Sequence, residues 1–110
     1  MKWKRIACAI VGALILSGIL SGGVVAFLHG QTTYQGGEVF AAQKCSVCHS
    51  IAGVGSGVTL DGVGGRLKPD DMKKRIRSPK DVKANSEMKA YPNLPEKDLN
   101  NLIAYLQALK

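Results

Sequence analysis

Acidic side chains are missing from the first third of this chain: none of the eight occurs before Glu38. No charged residue of either sign lies between Ile6 and Leu28, a run of 23. Such a run is the wrong material for a solvated surface. Aromatic residues make up only 5% of the sequence, so rings alone do not fill a core. No internal repeat and no low-complexity segment is present, which excludes a solenoid or a disordered linker protein. No stretch carries a convincing strand signal. Cysteine occurs at positions 8, 45 and 48 only, and histidine at 29 and 49 only.

The uncharged run follows a basic stretch containing Lys2, Lys4 and Arg5. Two readings fit that order. A secretory signal has a basic start, an apolar core of about 7 to 15 residues and a small-residue cleavage site. Val24-Val25-Ala26 or Ser21-Gly22-Gly23 supplies such a site. A spanning helix needs about 20 apolar residues, and this run continues through Phe27 and Leu28 past both sites. The expectation is an uncleaved single-pass anchor over residues 6–28, with residues 1–5 in the cytoplasm. Everything after Leu28 is then exported, by the positive-inside rule. Cys8 lies before the apolar core, where a lipidated cysteine would follow it, and reads as inert. Residues 29–36 read as a short polar tether, with His29 as a residue of the membrane boundary.

A folded unit of about 75 residues remains, over 37–110. A unit of that size buries only about 60% of its unfolded surface, and small scaffolds of this kind often carry an internal staple. After Leu28 there are 12 basic and 8 acidic residues, a net charge of +4. A basic domain suits nucleic acid, but no nucleic-acid motif is present. Steering towards an acidic protein partner is the better use of that charge.

Within this unit Gly37 to Lys44 reads as a short helix anchored by Phe40. Six glycines between Gly53 and Gly65 predict a loop with neither helix nor strand. Asp70 to Ser78 reads as a helix opened by Pro69 and closed by Pro79, with Met72, Ile76 and Arg75 inward. Residues Ala84 to Asn93 read as irregular. Pro95 to Leu109 is the best-defined helix, since Leu99, Leu102, Ile103, Leu106 and Leu109 share one face.

The chemistry sits at Cys45-Ser46-Val47-Cys48-His49, a C-x-x-C-H sequence that marks attachment of a c-type haem. Two thiols one turn apart can each add to one vinyl group of a haem, and the adjoining imidazole then meets the iron. A thioredoxin-like reading needs a βαβ pattern, and a zinc site needs further Cys or His ligands. Neither residue type recurs after His49. A Cys45–Cys48 disulfide leaves His49 without a role. A sixth ligand is sought among the methionines. Met72 falls on the inward face of a helix and reads as core. Met88, in the irregular stretch, reads as the iron ligand.

Together these features resemble the small monohaem class I cytochromes c of bacteria, in a membrane-anchored form. Gly37 and Phe40 are similar to the family's first-helix pair, and Leu102 and Tyr105 to the residues they cross on the last helix. Leu60-Asp61-Gly62-Val63-Gly64-Gly65-Arg66 resembles the haem-wrapping loop, in which Leu60 contacts the cofactor and Arg66 a propionate. Met88 with Tyr91 and Leu94 resembles the methionine loop. Val58 stands where the family usually has a proline whose carbonyl accepts a hydrogen bond from the proximal histidine, and Pro95 stands where a Ser or Thr cap is common.

The resemblance implies an all-α fold of three to four helices around one covalent haem c, ligated by His49 and Met88. It implies a single-electron carrier with no small-molecule substrate, working between membrane redox complexes outside the cytoplasm. Its docking surface is the lysines around the haem edge: Lys44, Lys80, Lys83 and Lys89, with Lys73, Lys74, Arg75 and Arg77 on the preceding helix. Two alternatives stand beside the carrier. One is a haem relay subunit of a larger respiratory complex. The other is a haem enzyme or gas sensor, which follows if Met88 leaves the iron open.

Overall fold

The computed structural model describes residues 30–110. The expected cytoplasmic segment and the anchor over 6–28 lie outside the described residues, as does His29. Among the described residues no helix is long and apolar enough to cross a membrane. Thr32–Lys110 forms one compact unit.

The first helix, α1, runs over residues 30–42. The tether expected over 29–36 is therefore helical from residue 30, and its Gly36 is buried. Its polarity reflects an exposed helix face, since Gln31, Tyr34 and Gln35 all point to solvent. The buried face meets α5, Glu96–Gln107. A Cβ at Gly36 would strike the Asn101 carbonyl oxygen and the Tyr105 Cβ, whereas one at Gly37 would lie 3.4 Å from the Tyr105 ring. Phe40 and Tyr105 pack with centroids 5.7 Å apart and planes tilted by 49°, and Asn101 Nδ2 donates to Gln35 Oε1 at 3.2 Å. The crossing is thus made by Gly36, one residue before the expected Gly37.

After α1 the chain turns through Lys44, at φ 56°, into a 3-10 turn over Cys45–Val47. A small sheet follows: β1 His49–Ile51, β2 Val54–Gly55 and β3 Val58–Thr59, in the order β2-β1-β3. β1 pairs antiparallel with β2 and parallel with β3, which sets His49 opposite Val58. The all-α expectation is corrected here. Strands of two and three residues leave no room for an alternating pattern. Their pairing comes from backbone turns at Ala52, Gly53, Gly55 and Gly57, all at positive φ. Gly57 is bound twice over: φ is 71°, and a Cβ would strike the Cys48 carbonyl oxygen.

Three more short elements complete the unit: α2 Val63–Arg66, α3 Pro69–Arg77 and α4 Pro79–Val82. Thus α2, β2 and β3 all fall in the glycine-rich stretch expected to be loop. Pro79 does follow the end of α3, but it also opens α4, because proline suits a first helical turn. α3 buries Met72 and Ile76 as expected, while Arg75 is exposed. Residues 84 to 93 contain no helix or strand. The core is Val63, Met72, Ile76, Leu94, Leu99, Leu102, Ile103 and Leu106. At about 1.5 to 3 kcal/mol for each large side chain removed from water, these residues are the main store of stability. α5 supplies four of the eight. The expected three to four helices resolve as three of substance, α1, α3 and α5, with α2 and α4 single turns.

Candidate haem site

Cys45 is half-buried and Cys48 is exposed, and no disulfide joins them. The 3-10 turn sets their spacing, with Cys48 N donating to Cys45 O at 3.2 Å. Burial pushes the Cys45 thiol up, and the neighbouring Cys48 adds to that push. His49 begins β1 directly after them.

The imidazole is oriented by the sheet. His49 Nδ1 lies 3.1 Å from the Val58 carbonyl oxygen. With the proton on Nδ1 as donor, the Nε2 lone pair is left to bind a metal, and the hydrogen bond fixes the orientation of the ring. This is the contact in which the family's proline usually takes part. Here the parallel register of β1 and β3 delivers the carbonyl, with Val58 N donating to Cys48 O at 3.0 Å. Val58 itself is 69% exposed, an apolar surface beside the histidine.

Met88 is half-buried and packs against the core. It borders an open cavity of about 350 Å³, together with Arg77, Ser78, Pro79, Ala90 and Pro92. Cys45, Cys48 and His49 do not line that cavity. What joins the two halves is Tyr91, three residues after Met88. Its hydroxyl donates to Gln43 O at 3.2 Å, just before the cysteines, and its backbone N donates to Ile76 O at 2.9 Å. Burial raises the Tyr91 phenol, and the Cys45 and Cys48 thiols beside it raise it further. Met72 is spoken for elsewhere: it is 2% exposed, and its Sδ lies 3.3 Å from Gln107 Nε2 as acceptor.

Leu60 is half-buried against the core, its backbone N donating to Ser50 O at 2.8 Å. Arg66 is exposed, and its Nη1 donates to Asp61 O at 2.7 Å. In this arrangement Arg66 closes its own loop. Asp61 extends the closure, since its Oδ1 accepts from Ala52 N at 2.8 Å and its N donates to Thr59 Oγ1 at 3.1 Å. Sequence reasoning passed over Asp61 as a staple. It has no periodic signature, because it acts through the Ala52 amide, a partner chosen by the fold.

A family description, Cytochrome c, matches residues 34–110. This chain belongs to the cytochrome c family. Membership implies one covalently bound c-type haem with its iron, and electron transfer through it. The residues present fit that group: two thiols set one turn apart, an imidazole held through Nδ1, and a thioether on a loop tied back to the attachment turn. The cytochrome c match begins within α1, which accords with the packing of Gly36 on α5.

Among curated proteins, the chain is similar to the cytochrome c oxidase subunit 2 of Alkalihalophilus pseudofirmus, at 34% identity over 86 residues. The match covers 69% of this chain and 25% of that protein, so the chain spans about a quarter of its relative's length. No solved structure matches the chain.

Proposed function

We propose that this chain is a single-electron carrier whose haem iron is ligated by His49 and Met88. It is held by residues 6–28 at the outer face of the cytoplasmic membrane and exchanges electrons with membrane redox complexes there. The observation that carries the reading is the His49 Nδ1 contact with the Val58 carbonyl, directly beside two thiols at haem-attachment spacing. The haem supplies reversible one-electron chemistry. The chain's residues do the rest. Val58 holds the imidazole through its carbonyl. Met88 offers a soft neutral donor, and Met/His ligation raises the potential. A closed ligand set has no open position for a substrate, which disfavours the enzyme and gas-sensor readings.

The thioether is the decisive part. Met88→Ala should abolish the long-wavelength iron–thioether absorption band and admit exogenous ligands to the iron. Met72→Ala should keep the band and lose stability by about 2 to 5 kcal/mol, as for other buried large-to-small changes. The opposite pattern would reassign the ligand. If exogenous ligands bound the wild-type iron directly, the enzyme or sensor reading would replace the carrier.

A second reading is a relay subunit of a larger respiratory oxidoreductase. It is favoured by the likeness to a quarter of a cytochrome c oxidase subunit. The native mass of the holoprotein extracted in mild detergent separates the two: a relay subunit runs with its complex, a carrier alone.

A further inference from the structure

Arg77 ends α3 and faces two other segments at once. Its Nη1 donates to the Pro92 carbonyl at 2.8 Å, and its Nη2 donates to Glu96 Oε2 at 2.8 Å. Lys73, one turn earlier on α3, reaches the other carboxylate oxygen, Oε1, at 3.1 Å. Pro92 lies four residues after Met88, and Glu96 opens α5. Arg77 also lines the cavity that Met88 borders.

Between Met88 and α5, Leu94 is anchored in the core and Met88 and Tyr91 pack against it, but few hydrogen bonds fix the backbone. Residues 84 to 93 form no helix or strand, so their backbone is fixed only by individual contacts. Tyr91 makes two of these, one to Ile76 and one to Gln43. Leu94 N lies 3.5 Å from Tyr91 O, a long contact. The short bond from Arg77 to Pro92 is the strongest side-chain tie on this stretch, because a charged donor shortens and strengthens a hydrogen bond. A side chain that is 29% exposed keeps part of that strength in spite of solvent.

The two donors of Arg77 need a planar fork. A guanidinium reaches a carbonyl and a carboxylate in fixed directions at once, whereas an ammonium is a single point on a flexible stem. Glu96 in turn stands in the first turn of α5, whose N-cap, Pro95, makes no side-chain capping bond. The fork therefore ties three things together: the end of α3, the start of α5 and the methionine segment.

We propose that Arg77 is a positioning residue for Met88: its guanidinium clamps the Pro92 carbonyl to Glu96 and so limits how readily the thioether leaves the iron. This rests on the reading of Met88 as the axial ligand. The role is mechanical. No proton or electron passes through Arg77; with haem bound, opening of the clamp would free the Met88 thioether to be replaced by an external ligand.

The test uses the full-length holoprotein and imidazole as the external ligand, followed in the ferric state at neutral pH. When thioether loss precedes imidazole binding, the saturating rate reports loss of Met88. Arg77→Gln removes the charge and the fork, Arg77→Lys keeps the charge alone, and Lys73→Gln removes the other Glu96 bridge but leaves Pro92 held. Losing a charged hydrogen bond of this kind should raise the saturating rate about tenfold in both Arg77 variants. It should leave Lys73→Gln within about twofold of wild type, since an exposed ion pair contributes little. All variants should keep the iron–thioether band in the absence of imidazole.

Wild-type rates in both Arg77 variants would overturn the clamp, as would full rescue by Arg77→Lys. An equal acceleration in Lys73→Gln would overturn it too, since general loosening of α3 on α5 would then suffice. A wild-type protein without the thioether band would overturn the Met88 reading and the clamp with it. A present band with unmoved rates would overturn the clamp alone.

Discussion

A methyl group at position 36 would collide with the α5 backbone, and one at position 37 would merely touch a ring. The two glycines should therefore behave oppositely. Gly36→Ala should destabilise the domain by about 1 to 3 kcal/mol or more, as overpacking does. Gly37→Ala should be neutral or gain up to about 1 kcal/mol from the helix propensity of alanine. Denaturant midpoints of the two holoproteins decide it, and equal midpoints would contradict the packing described. The same residue scale shows what could be read without the structure. Cys45, Cys48 and His49 were legible because their chemistry is written in adjacent positions. Val58 was legible as a carbonyl, because a backbone acceptor survives the loss of proline. Which of two neighbouring glycines makes the crossing was not legible, since that depends on the rotation of α1 against α5. Arg66 was read from its loop as a haem contact, and its Nη1 donates to the Asp61 carbonyl of that same loop.

Among the elements, α5 was plain in the sequence, because an apolar stripe about three turns long has one solution. The sheet was hidden, because two-residue strands are made by turns and not by side-chain alternation. α4 was hidden for a related reason: a proline that follows one helix equally begins another. The junction of α3 with α5 carries its own prediction. Hydrogen bonds from Lys73 and then Arg77, with the charge of Lys73 behind them, hold the Glu96 carboxyl below its ordinary value of 4.5. A carboxyl that titrates lower when folded stabilises the fold above its unfolded value, and that contribution fades as pH falls through the folded value. The melting temperature of wild type should thus exceed that of Glu96→Gln at neutral pH. The gap should close as the solution is acidified below 4.5. A gap that persisted undiminished in strong acid would show that Glu96 acts by packing and not by charge.

Across the whole molecule, the net charge of +4 after Leu28 is spread unevenly. Lys44, Lys80, Lys83 and Lys89 are all exposed, near the attachment turn or along the approach to Met88. Lys73 and Arg77, grouped with them from sequence, are instead occupied by Glu96. The docking surface proposed for an acidic redox partner is accordingly the four lysines, with Lys74 and Arg75, which stay exposed on α3. Steering of this kind speeds encounter more than it tightens the complex, and its reach is about 8 Å at physiological salt. The second-order electron-transfer rate to the membrane partner should fall steeply with ionic strength, and Lys83→Glu with Lys89→Glu should slow it most at low salt. A flat salt dependence would make these lysines ordinary surface. All of this stands on one covalent haem held between His49 and Met88, and the most direct test is the absorption spectrum of the purified full-length protein, oxidised and reduced, before and after acid–organic extraction. Low-spin haem spectra are expected in both states, with an iron–thioether band in the oxidised form and colour that stays with the protein through extraction. Haem that extracts freely, or a high-spin oxidised spectrum without the thioether band, would contradict a covalent haem held by His49 and Met88.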